Sequence, residues 1–168
     1  NLPYLFILQS DPTLGVTSSS TTIAGLGMTG FTDAALVTTP AAQGLFIQDN
    51  WIGFARPPGF GGANITNVSL VPVGSRPDGI EINSSFNTVR NNEFAFIDFG
   101  VILGGPQYPG NIVKTNSIQR NRIGESGPLT GDGVFLYDGA QENFIGPLNT
   151  ITNLDGVGVE LIRASNRL

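Results

Sequence analysis

The sequence contains no cysteine and no histidine. Without cysteine the chain has no disulfides, no thiolate chemistry and no cysteine-ligated metal site, and its redox compartment stays undecided. Without histidine it lacks the commonest general base and metal ligand in proteins. We therefore expect a fold that holds together without cofactors, and we predict no cofactor.

Charged residues are also scarce, at 12% of the chain, against about 25% in an average domain. The net charge is −5, and Lys114 is the single lysine. Nucleic-acid binding requires clustered Lys and Arg, so the sequence argues against a nucleic-acid partner.

Long apolar runs are missing. No stretch of eighteen apolar residues occurs, and the apolar start from Leu2 to Leu8 is too short for a signal peptide or a membrane span and has no basic flank. We expect no membrane insertion. The absence of an initiator Met favours a processed chain or one cut from a larger protein.

What the sequence does contain is a repeat. A Gly followed by an apolar, any, apolar triplet begins at Gly44, Gly79, Gly100, Gly133 and Gly158. Each copy is followed by Asn, any residue and an aliphatic residue, beginning at Asn50, Asn87, Asn111, Asn143 and Asn166. In three copies a second Asn unit follows at once, beginning at Asn92, Asn116 and Asn149.

Short fixed pieces with variable gaps are typical of a solenoid with fixed strands and variable loops. Alternation within each piece predicts that Val134, Leu136, Ile80 and Ile82 face inward. The α-helical alternative needs apolar residues at three- and four-residue spacing over ten or more positions, which no window supplies. The pattern therefore predicts an all-β fold, a right-handed parallel β-helix with about three short strands per turn.

The asparagines have two interpretations. Asn tolerates left-handed backbone at a corner, and stacked Asn side chains can form a hydrogen-bonded ladder inside the corner. We expect this ladder at Asn50, Asn87, Asn111, Asn143 and Asn166. The alternative is turn propensity alone.

The run from Asn116 to Leu161 resembles the right-handed parallel β-helix repeat region of bacterial secreted and cell-surface proteins, with its N-x-I-x-x-N-x-I-G, G-[VI]-x-[LI] and N-x-I-G units. The resemblance covers residues 44 to 168. It implies the fold more than the function, because such folds serve polysaccharide lyases, epimerases, phage spikes, adhesins and surface fibres.

We interpret residues 1–168 as one domain, with irregular N-terminal turns over about 1–43 and regular ones over 44–168. Residues 31–43 are predicted to be a loop or a single helical turn, ended by Pro40. The chain stops inside a repeat, and a β-helix end presents an open strand edge. This suggests a piece of a longer chain or a stacking subunit.

Catalysis on this fold needs clustered carboxylates, and the acids in the sequence are scattered. Asp78 and Asp132 occupy the same place in their repeats, about 10 Å apart with one strand between them. With Glu81 they are the candidate catalytic residues if the chain is an enzyme; the alternative is solvated charge. Arg90, Arg120 and Arg122 could lie near Glu93. No metal-binding motif is present.

Large apolar residues occupy positions expected to face outward, where a free wall should be polar. This outward apolar set comprises Phe46, Trp51, Ile102, Ile112, Phe135 and Phe144. Such a set marks a subunit interface or a ligand groove. The alternatives are cover by the loops at 55–63 and 104–110, or sugar stacking on Trp51 or Tyr108.

The sequence thus favours a structural protein, extracellular or on the cell surface, that contributes to a fibre, sheath or adhesive surface by subunit packing. The partners would be other copies or neighbouring domains of the same protein. The alternative is a carbohydrate-active β-helix, either a polysaccharide lyase or hydrolase or a sugar-binding module. Whether the chain is an enzyme is left open.

Overall fold

The computed structural model describes residues 6–9, 13–54, 77–162 and 165–167. These residues form nineteen short β-strands and no helix, so none of them forms a helix that could cross a membrane. The loop predicted at 55–63 lies outside the described residues.

All strands belong to three parallel sheets. Sheet A contains β1 (Phe6–Gln9), β4 (Leu26–Thr29), β7 (Trp51–Ile52), β10 (Glu93–Phe94), β14 (Arg122–Ile123) and β17 (Thr150–Ile151). Sheet B contains β2 (Leu14–Val16), β5 (Ala34–Thr38), β8 (Asp78–Ile82), β11 (Val101–Leu103), β15 (Val134–Leu136) and β18 (Val159–Leu161). Sheet C contains β3 (Thr22–Ala24), β6 (Phe46–Gln48), β9 (Thr88–Arg90), β12 (Val113–Lys114), β13 (Ser117–Gln119), β16 (Ala140–Ile145) and β19 (Ser165–Arg167).

The chain visits the sheets in a fixed rotation, from A to B to C and back to A. We call one such pass a circuit. Strands pair in parallel with their counterparts in adjacent circuits, so equivalent residues lie about 4.8 Å apart. Residues of successive circuits therefore form columns, such as Glu81, Ile102, Phe135 and Glu160 on sheet B.

The core lies between the three sheets and follows the alternation in the sequence. Val134, Leu136, Ile80 and Ile82 have no exposed surface, which confirms their predicted inward direction. Each aliphatic side chain buried in this way contributes roughly 1.5–3 kcal/mol relative to an exposed one. Short strands are stable here because their inner residues join one continuous cluster.

The recurrent glycines keep the start of sheet B clear. A Cβ at Gly79 would lie 2.2 Å from the carbonyl oxygen of Gly100, and a Cβ at Gly100 would lie 2.4 Å from that of Gly133. A Cβ at Gly133 would lie 2.6 Å from the carbonyl oxygen of Gly158. These glycines stack on one another, and any larger residue would push neighbouring circuits apart.

The prediction for residues 31–43 was wrong. Residues 31–43 contain β5 rather than a loop or helical turn, because Ala34, Ala35 and Leu36 are all buried and β5 is paired on both sides. A strand buried on both faces has a continuous apolar sequence, not an alternating one. The Gly44 unit lies on sheet C, as β6, and not on sheet B with the other Gly-led units.

Candidate functional site

Buried asparagines form a ladder where sheet C passes into sheet A. Its four members are Asn50, Asn92, Asn121 and Asn149, one per circuit. Asn50 Nδ2 donates to Asn92 Oδ1 (2.9 Å), Asn92 Nδ2 to Asn121 Oδ1 (3.1 Å), and Asn121 Nδ2 to Asn149 Oδ1 (3.2 Å). Each Oδ1 also accepts a backbone N–H from the preceding circuit, as Asn92 Oδ1 does from Asn50 N at 3.1 Å. The ladder fixes the register of successive circuits.

A second ladder lies at a turn of sheet C, where Asn87 precedes β9, Asn116 precedes β13 and Asn143 lies within β16. Asn87 Nδ2 donates to Asn116 Oδ1 at 2.9 Å, and Asn116 Nδ2 to Asn143 Oδ1 at 3.0 Å. The five asparagines expected in one ladder are therefore divided. Asn50 belongs to the first ladder, and Asn87 and Asn143 belong to the second. Asn111 belongs to neither, since its amide donates to the carbonyl oxygen of Asn83; the side chain of Asn166 lies outside the described residues.

The left-handed backbone lies one residue before each ladder asparagine, not on the asparagine itself. In the first ladder these preceding residues are Asp49 (φ 57°), Asn91 (φ 54°), Arg120 (φ 55°) and Leu148 (φ 65°). The turn directs the asparagine amide inward. The residues before and after it are left on the outside.

These outward residues line a groove beside the first ladder, which we call the corner groove. Its volume is about 390 Å³, and its lining is Asp49, Asn50, Trp51, Asn91, Glu93, Arg120 and Arg122. Trp51, Glu93 and Arg122 form one column of sheet A. Asp49, Asn91 and Arg120 form the parallel column at the corner.

The middle of the groove contains a buried carboxylate. Glu93 is 4% exposed and accepts hydrogen bonds from the Arg122 guanidinium and the Ser126 hydroxyl. Arg122 Nε also lies 3.3 Å from Glu125 Oε2. The hydrogen bond that the Arg122 guanidinium donates to Glu93 raises the pKa of Arg122, so the guanidinium remains cationic. The sequence suggested three arginines near Glu93, and the structure pairs Arg122 with it.

This groove is suited to a neutral polar ligand with one apolar face. The Trp51 indole offers a flat apolar surface, while Asp49, Asn91 and the Glu93–Arg122 pair offer fixed hydrogen-bond donors and acceptors. Asp49 and Asn91 were not singled out from the sequence. Their signal is that each directly precedes a ladder asparagine.

The candidate catalytic acids lie elsewhere, on sheet B. Asp132 is 6% exposed and accepts a hydrogen bond from the backbone N–H of Val157 (2.7 Å). Asp78 accepts a hydrogen bond from the backbone N–H of Phe99 in the next circuit (3.4 Å). Phe99 therefore lies between Asp78 and Asp132. Glu81 is 5% exposed and accepts from Asn83 Nδ2 at 2.8 Å. The structure does not bring these three acids together at an open cleft.

Burial does shift the protonation of sheet B acids. Desolvation raises the pKa of Asp78 to about 7, with further increases from the nearby Asp98, Asp33 and Glu81 and an opposing effect from the Phe99 N–H. Desolvation likewise raises the pKa of Glu81. A hydrogen bond with Asp132 raises the pKa of Glu160. Among the described residues, no three acids converge closely enough to hold a metal ion.

The outward apolar set is distributed over all three sheets. Phe46 and Phe144 share a column of sheet C and are 47% and 43% exposed, and Ile112 precedes β12 and is 53% exposed. Trp51 lies on sheet A in the corner groove. Ile102 and Phe135 are adjacent on sheet B, where Ile102 is buried. Tyr108 does not line the groove.

The 104–110 loop contacts sheet B. A Cβ at Gly105 would lie 2.1 Å from Glu81 Oε1, so the loop backbone packs directly on this carboxylate and accounts for its burial.

Compared with protein-family models, with curated proteins and with solved structures, the chain has no significant match. The functional argument therefore depends on the geometry and chemistry of the chain itself.

Proposed function

We propose that the chain is a right-handed parallel β-helix whose three faces are sheets A, B and C. The fixed rotation through three parallel sheets supports this fold, as do the two asparagine ladders. The handedness follows from the strong right-handed preference of connections between parallel strands.

On this fold we infer a structural role, in which copies pack side by side into a fibre, sheath or adhesive surface. The observation that carries this role is the exposure of large apolar side chains on and beside sheet C. These are Phe46, Phe86, Ile112 and Phe144, each more than two-fifths exposed. A free outer wall would carry polar residues there, and exposed apolar groups of this size are typical of an interaction surface. The proposed location outside the cell depends on the resemblance to bacterial secreted and surface proteins.

Phe86 strengthens this argument. It is 53% exposed and has a φ of 64°, a conformation that bulky residues rarely adopt. The equivalent corner positions in neighbouring circuits are Gly44 and Thr115. A strained, exposed phenylalanine gives nothing to the isolated fold, but it supplies apolar area to a contact.

Sedimentation velocity over a wide concentration range, with electron microscopy, tests the structural role. The wild-type chain should associate, and the Phe46→Ser/Phe144→Ser variant should stay monomeric at the same concentrations. Leu148→Ser is the matched control, because Leu148 is 72% exposed but lies at the corner between sheets C and A. A folded wild-type chain that is monomeric throughout would exclude the proposal.

The corner groove favours a second candidate function, the binding of a saccharide. Its aromatic face beside a paired carboxylate and guanidinium matches a sugar ring, which has an apolar face and a rim of hydroxyls. The groove runs across three circuits, which suits a chain of sugar units rather than a single one.

Fluorescence tests this second candidate directly, because Trp51 is the only tryptophan. Titration with neutral and uronate oligosaccharides should shift its emission, and Arg122→Ala should weaken the response, whereas Tyr108→Ala should not. No shift with either class excludes saccharide binding at the groove. Product-release assays with Asp78→Asn and Asp132→Asn examine the enzymatic alternative; loss of a wild-type activity in these variants would replace the structural proposal.

A further inference from the structure

Charge is segregated between the sheets. Eight acids lie on sheet B or on the connections leading into it from sheet A, and two of them, Glu81 and Asp132, are buried. The eight are Asp33, Asp78, Glu81, Asp98, Glu125, Asp132, Asp155 and Glu160. The part of the molecule that the structure describes places no Lys or Arg side chain there. Its four cationic side chains are on sheets C and A and the corner between them: Arg90, Lys114, Arg120 and Arg122. In the described part of the chain, this side of the molecule is therefore acidic, and we call it the acidic side.

The acidic side has an aromatic centre. The Phe99 and Phe135 rings lie 5.4 Å apart between centroids, and the Phe135 and Tyr137 rings 5.8 Å apart. All three side chains are half-buried, so part of each ring is accessible. Glu160 neighbours Phe135 in its column, and Asp98 precedes Phe99. Sheet B thus presents partly exposed aromatic rings framed by carboxylates.

Sheet C presents the opposite chemistry. Phe46 and Phe144 occupy one column of its outer face, with Thr88 and Ser117 between them. Arg90 and Lys114 are exposed on β9 and β12. Arg90 Nε is held by Gln48 Oε1 at 2.9 Å, which extends the guanidinium across the strands. Glu142, exposed within β16, is the acid that the described part of sheet C carries.

We propose that sheet C of one copy packs on sheet B of the next copy. This inference rests on the proposed structural role and names the two surfaces that meet. Apolar groups then face apolar groups, and the cations of sheet C face the carboxylates of sheet B. Arg90 or Lys114 above the Phe135 and Tyr137 rings adds cation–π attraction. Pairing two copies of sheet B would instead oppose carboxylates, and pairing two copies of sheet C would oppose Arg90 and Lys114 with each other, at a cost.

The geometry of this contact has a consequence for assembly. The two surfaces differ, so the contact is heterologous and leaves one sheet B and one sheet C free at the two sides of any assembly that is not a closed ring. Growth is then lateral, with the axes of the copies side by side, and the rotation between successive copies decides between a closed ring and an open sheet. The attraction is partly electrostatic, so association should weaken as salt is raised.

Charge reversal with complementation tests the inference. One variant, Arg90→Glu/Lys114→Glu, makes sheet C acidic; a second, Asp98→Lys/Glu160→Lys, makes sheet B basic. Each variant alone should associate at least tenfold more weakly than wild type in sedimentation, because like charges now meet. An equimolar mixture should recover association, since the acidic sheet C of one variant meets the basic sheet B of the other. Circular dichroism and thermal melting verify that each variant folds. If the second variant does not fold, Asp98→Asn/Glu160→Gln replaces it, and a smaller loss of association is then expected.

The outcomes separate this inference from the structural role. If the wild type associates but the sheet B variants leave association unchanged, the contact is of another kind, such as sheet C on sheet C, and the inference is wrong while the structural role stands. Failure of the mixture to recover association also overturns it. A monomeric wild type overturns both proposals.

Discussion

At the scale of single residues, the molecule depends on buried amides that satisfy their full hydrogen-bonding capacity. Asn92 is 1% exposed; its Nδ2 donates to Asn121 Oδ1 and to the Ile47 carbonyl, and its Oδ1 accepts from the backbone and side chain of Asn50. An amide has two donors and an acceptor with two lone pairs, so this position uses all of them. Few other side chains could do so in this space.

We predict that Asn92→Ala lowers the free energy of unfolding by about 2–4 kcal/mol, because it leaves several buried polar groups unpaired. The matched control is Asn91→Gly, one residue away, which keeps the ladder and suits the φ of 54°. Urea denaturation of both variants measures the difference. Equal stability of Asn92→Ala and the wild type would show that the ladder contributes no net stability.

The raised pKa of Asp78 predicts that the stability of the fold depends on pH. Its pKa in the folded chain is about 7, above the ordinary value of 3.8, so the folded state binds more protons than the unfolded state between these values. The contribution of Asp78 to the stability of the fold is therefore most favourable below about pH 4, and it is lost as the pH rises through 7. The raised pKa of Glu81 acts in the same direction.

The measurement is urea denaturation of the wild type and Asp78→Asn at several pH values from 4 to 8. The loss of wild-type stability over this range should be larger than that of the variant. Parallel curves for the two proteins would show that Asp78 titrates normally.

At the scale of elements, strands of two to six residues are held by their neighbours in adjacent circuits. The distance between adjacent circuits therefore determines how large a side chain each corner can accommodate. Gly124 follows β14 with a φ of 81°, and a Cβ there would lie 1.8 Å from the carbonyl oxygen of Thr152 in the next circuit. Gly110 has a similar φ of 78° but nothing within 4 Å of its Cβ position.

We predict that Gly124→Ala lowers the free energy of unfolding by more than about 2 kcal/mol. Gly110→Ala should lower it by only about 1 kcal/mol, because alanine is strained in the left-handed backbone. The pair separates steric exclusion between circuits from backbone strain. Thermal or urea unfolding of both variants measures it. Similar losses at the two positions would mean that the corner relaxes without cost.

At the scale of the whole molecule, each circuit contacts mainly the circuits before and after it. Stability in such an arrangement is approximately a sum of circuit and interface contributions. The middle circuits are covered on both sides, so they should open less often than those with one neighbour.

Hydrogen exchange should therefore be slowest in β9, β10, β13 and β14, and faster in β17 and β18. Asn92→Ala should accelerate exchange first in the circuits that contain Asn50 and Asn121. Mass spectrometry of exchanged peptides measures both effects. Uniform exchange along the chain would show one cooperative unit instead.

Parts of this arrangement were predictable because they follow from neighbours in the chain. Alternation in GVFL and GIEI identifies inward residues, since successive side chains on a strand point to opposite faces. The recurrence of Gly and Asn likewise predicts corners and close approach. The β5 strand escaped prediction because it is apolar without alternation, as its burial on both faces requires.

The corner groove and the charge segregation were not predictable in the same way. Trp51, Glu93 and Arg122 are separated by 42 and 29 residues and become adjacent only through pairing in sheet A. The sequence predicted that Phe46 and Phe135 both face outward, but only the pairing of strands shows that they lie on different sheets, C and B. The sheet that a short strand joins depends on the length and path of the connection before it. The residues of the strand itself give no indication of that path.

The sequence by itself determined which residues turn inward and where the chain bends, because these depend on contacts between near neighbours. Only the tertiary structure decided which side chains share an outer face, since this depends on how many residues each circuit spends in its loops. The asparagines illustrate both kinds of information. Their positions at corners can be predicted from the sequence, whereas their division into two ladders follows from how the sheets stack.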